Sequence, residues 1–112
     1  MAGTLKQAET LILAMLTAGD RHGYGIRQDI IEHTDGAVRL EAGNLYRTIN
    51  GLLQEGLVEE ARRRPAAELD DERRRYYRLT ALGRRVLSAE MLRMRALVRL
   101  AESRKLILPE RS

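Results

Sequence analysis

Glu41-Ala42-Gly43-Asn44-Leu45-Tyr46-Arg47-Thr48-Ile49-Asn50-Gly51-Leu52-Leu53-Gln54-Glu55-Gly56 is the stretch on which the reading of this chain turns. Leu45, Ile49, Leu52 and Leu53 recur at helical spacing and make one apolar stripe. The opposite face carries Asn44, Arg47, Thr48 and Asn50, short polar groups and one guanidinium, the types that read base edges or grip phosphates. Gly56 sits where a helix needs a left-handed residue to stop. The segment has the pattern of a DNA-recognition helix. Glu41 and Glu55 at its ends keep it from being net positive, so the sequence alone also allows a solvated surface helix.

The residues before it supply two more helices. Leu5, Ala8, Leu11, Ile12, Met15 and Leu16 form a broad apolar face that predicts a helix over 5–18, with Thr4 as N-cap and Gly19-Asp20 as the turn. A second helix is predicted over 24–34, with Ile26 and Ile30 inward, Tyr24 in the core and Asp35-Gly36 as its stop. Residues 37–40 are a short connector ending in Arg39 and Leu40. Two helices joined by a short turn make a helix-turn-helix, whose later helix enters the major groove.

Past Gly56 the period changes. Residues 57–64 and 73–79 read as two strands around a polar loop, a hairpin with basic arms and an acidic tip of Glu68, Asp70, Asp71 and Glu72. In the returning strand Arg75, Tyr77 and Leu79 share one face and Arg74, Tyr76 and Arg78 the other. Alternation lets only half of the arginines face one partner, which leaves two readings of the runs: partial phosphate contact, or a solvated face paired with the tip acids. Thr80 is a good N-cap for a last helix running to about Leu106, ~40 Å at 1.5 Å per residue. Leu87, Met91, Met94, Val98 and Ala101 step by four, three, four and three along it, a heptad-like seam broadened by Leu82, Val86, Leu97 and Leu100. A small domain cannot cover so long an apolar face alone; a second copy of the chain can. Met91 and Met94 read as dimer core before pocket lining.

Composition removes several function classes. The chain has 112 residues, the size of one domain, and its aromatics are four Tyr with no Trp or Phe. It has no Cys, which excludes disulfides, thiolate metal sites and thiol catalysis. His22 and His33 are eleven residues apart without the convergence a metal needs, so turn and cap roles suffice for them. No carboxylate pair forms an acid–base dyad, and Ser88 and Ser103 have no evident base. The expectation is a protein that is not an enzyme and needs neither metal nor cofactor. No apolar run approaches the roughly 18 to 20 residues that span a bilayer, and Lys6, Gln7 and Glu9 interrupt the N-terminus as a signal peptide. That predicts a cytoplasmic protein with no membrane partner. The net charge of +4 is compatible with nucleic acid. Its bases are nearly all Arg, which suits phosphate and guanine and equally follows from a GC-rich coding bias.

Four motifs in order then resemble a family: His22-Gly23-Tyr24-Gly25, Gly43-Asn44-Leu45-Tyr46-Arg47, Glu55-Gly56-Leu57-Val58, and Arg75-Tyr76-Tyr77-Arg78-Leu79-Thr80 with Gly83. Together they are similar to the PadR family of bacterial transcriptional regulators, in its short branch with a single C-terminal helix. The resemblance implies a mainly α fold with a small β-hairpin. A winged helix-turn-helix DNA-binding domain would occupy residues 1–79 and a dimerisation helix residues 80–108. It further implies a homodimeric repressor on a roughly palindromic operator of double-stranded DNA. The DNA-binding candidates are Asn44, Tyr46, Arg47, Thr48 and Asn50, with Arg39, Lys6, Arg63 and Arg74 for phosphate. Tyr46 has two readings, a phosphate contact or a core ring with its hydroxyl at the edge. A small-molecule effector stays open; it would act by changing the angle between the terminal helices. The acidic wing tip and the lack of Trp or Phe in the last helix depart from the family's aromatic effector sites and wing contacts. The near-neutral recognition helix and the acidic wing tip keep one alternative alive, a winged-helix protein-interaction module that does not read DNA.

Overall fold

In the computed structural model, which describes residues 4–61 and 75–110, helix α1 (Gln7–Met15) is capped by Lys6 and not by Thr4. Glu9, at the third helical position, is the cause: its carboxylate accepts from the Lys6 backbone N–H at 2.7 Å and sets the start there. Leu16–Ala18 then tighten into a 3-10 turn, and Gly19, at φ 137, turns the chain. Strand β1 (Arg21–His22) and helix α2 (Gly23–His33) follow. His22 takes a cap role, its Nδ1 accepting from the Gly25 N–H at 2.9 Å.

Helix α3 (Ala42–Gln54) is the predicted recognition segment. It ends as read from Gly56, whose φ of 76 lets Leu57 N–H donate to the Leu52 carbonyl at 3.0 Å. The same closure ends α2 without a glycine at the key position. Asp35 has φ 52, and the Gly36 N–H reaches the Ile31 carbonyl at 2.8 Å. Strands β2 (Val58–Ala61) and β3 (Tyr76–Leu79) pair antiparallel, from Val58 opposite Leu79 to Ala61 opposite Tyr76. The other edge of β3 takes up β1, with Arg21 opposite Tyr77, so the sheet order is β1-β3-β2. The expectation was a two-stranded hairpin. The third strand is two residues long, too short for any alternation to show in sequence.

Helix α4 (Ala81–Ser103) starts on Thr80 as predicted. The Thr80 hydroxyl accepts from Gly83 N–H at 2.9 Å and donates to the Gly56 carbonyl at 2.7 Å. One side chain thus joins the end of α3 to the start of α4. The helix stops three residues before the expected Leu106. Lys105 has φ 63, and the Leu106 N–H turns back to the Ala101 carbonyl at 2.9 Å.

Ile12 and Leu13 of α1, Ile26 and Ile30 of α2, and Leu45, Ile49 and Leu52 of α3 are 0–1% exposed. Each contributes about 1.5 to 3 kcal/mol of burial. Val58, Tyr77 and Leu87 close this aliphatic core. The fold is the predicted one, mainly helical with a small antiparallel sheet, a winged helix-turn-helix with a long last helix. Two placements differ from the sequence reading. Tyr24 is 57% exposed at the start of α2, where a core position was expected. Leu87 is only 5% exposed and belongs to the core of its own chain, not to the free seam of α4. The first two turns of α4 therefore pack on the winged-helix body through Leu87.

Beyond the body, α4 runs bare. Every residue from 91 to 100 is exposed, and the radius of gyration is 15.8 Å where a compact chain of this length has about 13 Å. Glu90 marks the point where the helix leaves the body. Its carboxylate accepts from the Arg93 guanidinium and, at 3.4 Å, from the Leu5 backbone N–H. The Arg93 bond is the main reason its pKa lies below the ordinary carboxylate value. No helix among the described residues is long and apolar enough to cross a membrane.

Candidate nucleic-acid interface

The candidate face is on α3, because one side of that helix is fully engaged and the other is not. Leu45, Ile49 and Leu52, at 0–1% exposure, fix its rotation about its own axis. Gly43, Asn44, Arg47, Asn50, Gly51 and Gln54 are then all exposed. Asn44 Oδ1 accepts from Arg47 Nη1 at 2.9 Å, so the two side chains are held as a pair. Thr48 donates its hydroxyl to the Asn44 carbonyl at 2.8 Å and, as placed, offers an outside partner only its oxygen. The structure therefore brings Asn44, Arg47, Thr48 and Asn50 together on one helix.

Tyr46 lies one step round the helix and is half-buried. Its ring packs on Gly23 so closely that a Cβ there would stand 2.4 Å from the Tyr46 Oη. Gly23 is thus the reason that α2 and α3 approach at this end. The ring is part of the packing, with its hydroxyl against Gly23 in the first turn of α2. Arg39 is exposed in the connector two residues before Glu41, the N-cap of α3. That connector is braced by Arg27, whose Nε donates to the Leu40 carbonyl at 2.7 Å.

Lys6 is elsewhere. It lines a cleft with Glu9 and with Glu55, which caps the far end of α3 from Asn44. The sequence placed it among phosphate contacts by charge alone. Arg63 and Arg74, with the acidic tip of the hairpin, lie outside the described residues. The described arms of the hairpin are balanced in charge. Arg75 pairs with Glu60 at 3.3 Å, and Arg78 lies 3.6 Å from Asp20 and 3.8 Å from Glu59. Exposed pairs of this kind contribute little to stability, yet they remove field that would otherwise attract phosphate.

Gly51, on the exposed face of α3, was not among the residues that the sequence reading singled out. Gly43 and Gly51 lie on the exposed face one turn either side of Arg47. A Cβ at Gly51 would meet nothing within 4 Å. Mid-helix glycine costs about 1 kcal/mol relative to alanine, and nothing within 4 Å of that position requires it. The signal was available: a glycine in the middle of a strongly periodic helix.

Comparison with known proteins gives the family and the fold. The family model of the transcriptional regulator PadR-like family matches residues 12–89. An uncharacterised protein from Lysinibacillus sphaericus is 30% identical over 80 residues, 71% of either chain. A PadR family transcription regulator from Clostridium difficile R20291 has the same fold, with a TM-score of 0.72 at 21% identity over 88% of this chain and 97% of its own. Bacillus subtilis PadR, solved in complex with operator DNA, gives a TM-score of 0.64 at 21% identity. That match covers 77% of this chain and 47% of the longer relative.

Proposed function

As this chain belongs to the PadR-like family of transcriptional regulators, we propose that it binds a specific DNA operator through α3. It acts as a homodimeric repressor on a pseudo-palindromic site. The observation that carries this reading is the division of α3 into a locked apolar face and an outward polar one bearing the Asn44–Arg47 pair. Arg47 reads a guanine or grips a phosphate, flanked by Asn44, Thr48 and Asn50. Arg39 and the Tyr46 hydroxyl supply backbone contacts, with Arg63 and Arg74 from the wing. Two copies join along α4 through Met91, Met94, Val98 and Ala101. Their recognition helices then enter successive major grooves about one helical turn apart, ~34 Å. Such a regulator works in the cytoplasm, and its chemistry needs no metal or cofactor.

The test is binding to the intergenic DNA upstream of its own gene at two salt concentrations. Tight binding that survives competitor duplex supports a sequence-specific regulator, and footprinting then gives the operator. Binding lost equally to any duplex reduces the reading to a charged surface. The charge-balanced wing arms and acidic ends of α3 favour one rival, an interaction module, and absence of binding at low salt would select it.

Two substitutions probe the face directly. Arg47→Ala is expected to weaken operator binding by about 1 to 3 kcal/mol, roughly five- to 150-fold, without changing the melting temperature, since Arg47 is exposed. Unchanged affinity in a fluorescence anisotropy titration would remove Arg47 from the interface. Gly51→Ala separates stability from binding. It is expected to stabilise the fold by up to about 1 kcal/mol while lowering operator affinity, because the new methyl occupies the space between α3 and the groove. A thermal melt and the same titration read the two effects; a rise in both would place Gly51 outside the contact.

A further inference from the structure

Arginines in this chain stand in two kinds of surroundings. Arg21, Arg75, Arg78 and Arg93 each face a carboxylate: Asp29, Glu60, Asp20 with Glu59, and Glu90 in turn. Arg84, Arg85, Arg95 and Arg99 of α4 are exposed and pair with no described residue. At 3.6 residues per turn these four fall in one band along the helix, turned away from Gly83 and Leu87, which meet the body. Arg85 and Arg99 lie on the same line two heptads apart, with Arg84 and Arg95 to one side of it. The band also lies outside the apolar seam of Met91, Met94 and Val98, so a second copy on that seam leaves it open. The one carboxylate of α4 on this side is Glu102, which is half-buried. Arg95 and Arg99 are four residues apart, a spacing at which like charges destabilise a helix. The helix therefore carries a stripe of unneutralised cations against its own stability.

We propose that this stripe grips the phosphate backbone of a DNA duplex other than the one that α3 enters. Leu45, Ile49 and Leu52 of α3 and Leu87 of α4 belong to one core, so the two helices turn their outer faces away from it in different directions. One duplex cannot lie straight along both. Arg84 and Arg99 stand roughly 22 Å apart along the axis at 1.5 Å per residue, and a duplex beside them presents about a dozen phosphates over that length. The composition of the band favours duplex over other polyanions. It has no aromatic ring on which single-stranded bases could stack. Its one large apolar side chain is Leu92, too little to anchor in lipid or to form the buried centre of a protein contact. Arginines alone make a contact that is electrostatic and indifferent to sequence. A chain holding one duplex on α3 and another on α4 joins two DNA segments. That bridge rests on the operator binding proposed above; the contact of the stripe does not.

The experiment uses the full chain and short duplexes of random sequence. Fluorescence anisotropy at several salt concentrations reads the number of phosphates engaged. Arg84→Gln, Arg85→Gln, Arg95→Gln and Arg99→Gln combined are expected to lower the slope of log affinity against log salt by about 2 to 4, at roughly 0.9 per phosphate. Glutamine and arginine have similar helix propensity and all four sites are exposed, so the melt should be unchanged. In a second assay one duplex is fixed to beads and another, labelled, is free. The parent should carry the labelled duplex to the beads, and the glutamine variant should not. A glutamine variant that keeps both the slope and the capture overturns the proposal. Arg39→Ala with Arg47→Ala separates the two faces. If that variant loses slope and the glutamine variant does not, the operator reading of α3 stands and the stripe falls. If the glutamine variant loses slope and that variant does not, the stripe stands and the reading of α3 fails. Binding of polyglutamate without capture of any duplex would assign the stripe to an acidic protein and overturn the proposal.

Discussion

Gly83→Ala is expected to destabilise the protein by about 3 kcal/mol, lowering the melting temperature by roughly 10 to 20 °C. On helix propensity alone the change should help, since alanine in a helix is about 1 kcal/mol better than glycine. The environment reverses the sign. A Cβ at Gly83 would stand 2.0 Å from the Leu57 carbonyl oxygen and 2.9 Å from its carbon. Those atoms are backbone and cannot rotate away. The same carbonyl accepts from the Thr80 N–H at 3.1 Å, so pushing α4 outward also strains the junction that Thr80 makes with Gly56. A shift of α4 would open the contact of Leu87 with the core. Thermal unfolding followed by circular dichroism reads the effect. A variant as stable as the parent would mean that α4 does not approach the Leu57 backbone this closely. Gly51→Ala, the same substitution on another helix, is expected to have the opposite sign, because no atom waits for its methyl group.

Met94→Arg is expected to abolish the dimer at concentrations where the parent is dimeric, and with it most of the operator affinity. Met94 is 42% exposed in the single chain, so arginine there costs the monomer little. In the proposed α4 seam the Met94 side chain of each copy lies in the apolar contact. Two guanidinium groups would replace them in an apolar contact, and Glu90, one turn earlier, already accepts from Arg93 and Leu5. Burying unpaired charge costs about 3 to 5 kcal/mol, a factor of hundreds to thousands in the dissociation constant. A protomer alone engages one half-site, so its contacts and its phosphate charge are halved, and operator binding falls accordingly. Sedimentation and anisotropy read the two consequences, and a melt confirms that the monomer is folded. An intact dimer would remove Met94 from the seam.

What could be read from the sequence was local and periodic. The stripe of Leu45, Ile49 and Leu52 appears in the structure at 0–1% exposure. The stop at Gly56 and the cap at Thr80 hold to the atom. These signals depend on residues within one or two turns of each other, so the chain displays them directly. Thr4 failed as a cap for a reason equally local but weaker in sequence: the Glu9 carboxylate reaches the Lys6 N–H.

What the tertiary structure decided was which neighbour each face meets. Periodicity shows that one side of α4 is apolar, but only the position of the body divides that side into buried Leu87 and bare Met91, Met94 and Val98. Tyr24 has the character of a core residue and a place in solvent, while its neighbour Gly23 is the position at which α2 meets the ring of Tyr46. Charge placed Lys6 at the interface, while the fold put it beside Glu9 and Glu55 at the far end of α3. The strand Arg21–His22 exists only because β3 offers it an edge. By itself the sequence determined the helices, the stop at Gly56, the cap at Thr80 and the outward face of α3, since backbone hydrogen bonds and side-chain period act over a few residues. Close approach at Gly83 and Gly23, and the length of α4 left bare, were set by packing between segments far apart in the chain, which no local pattern records.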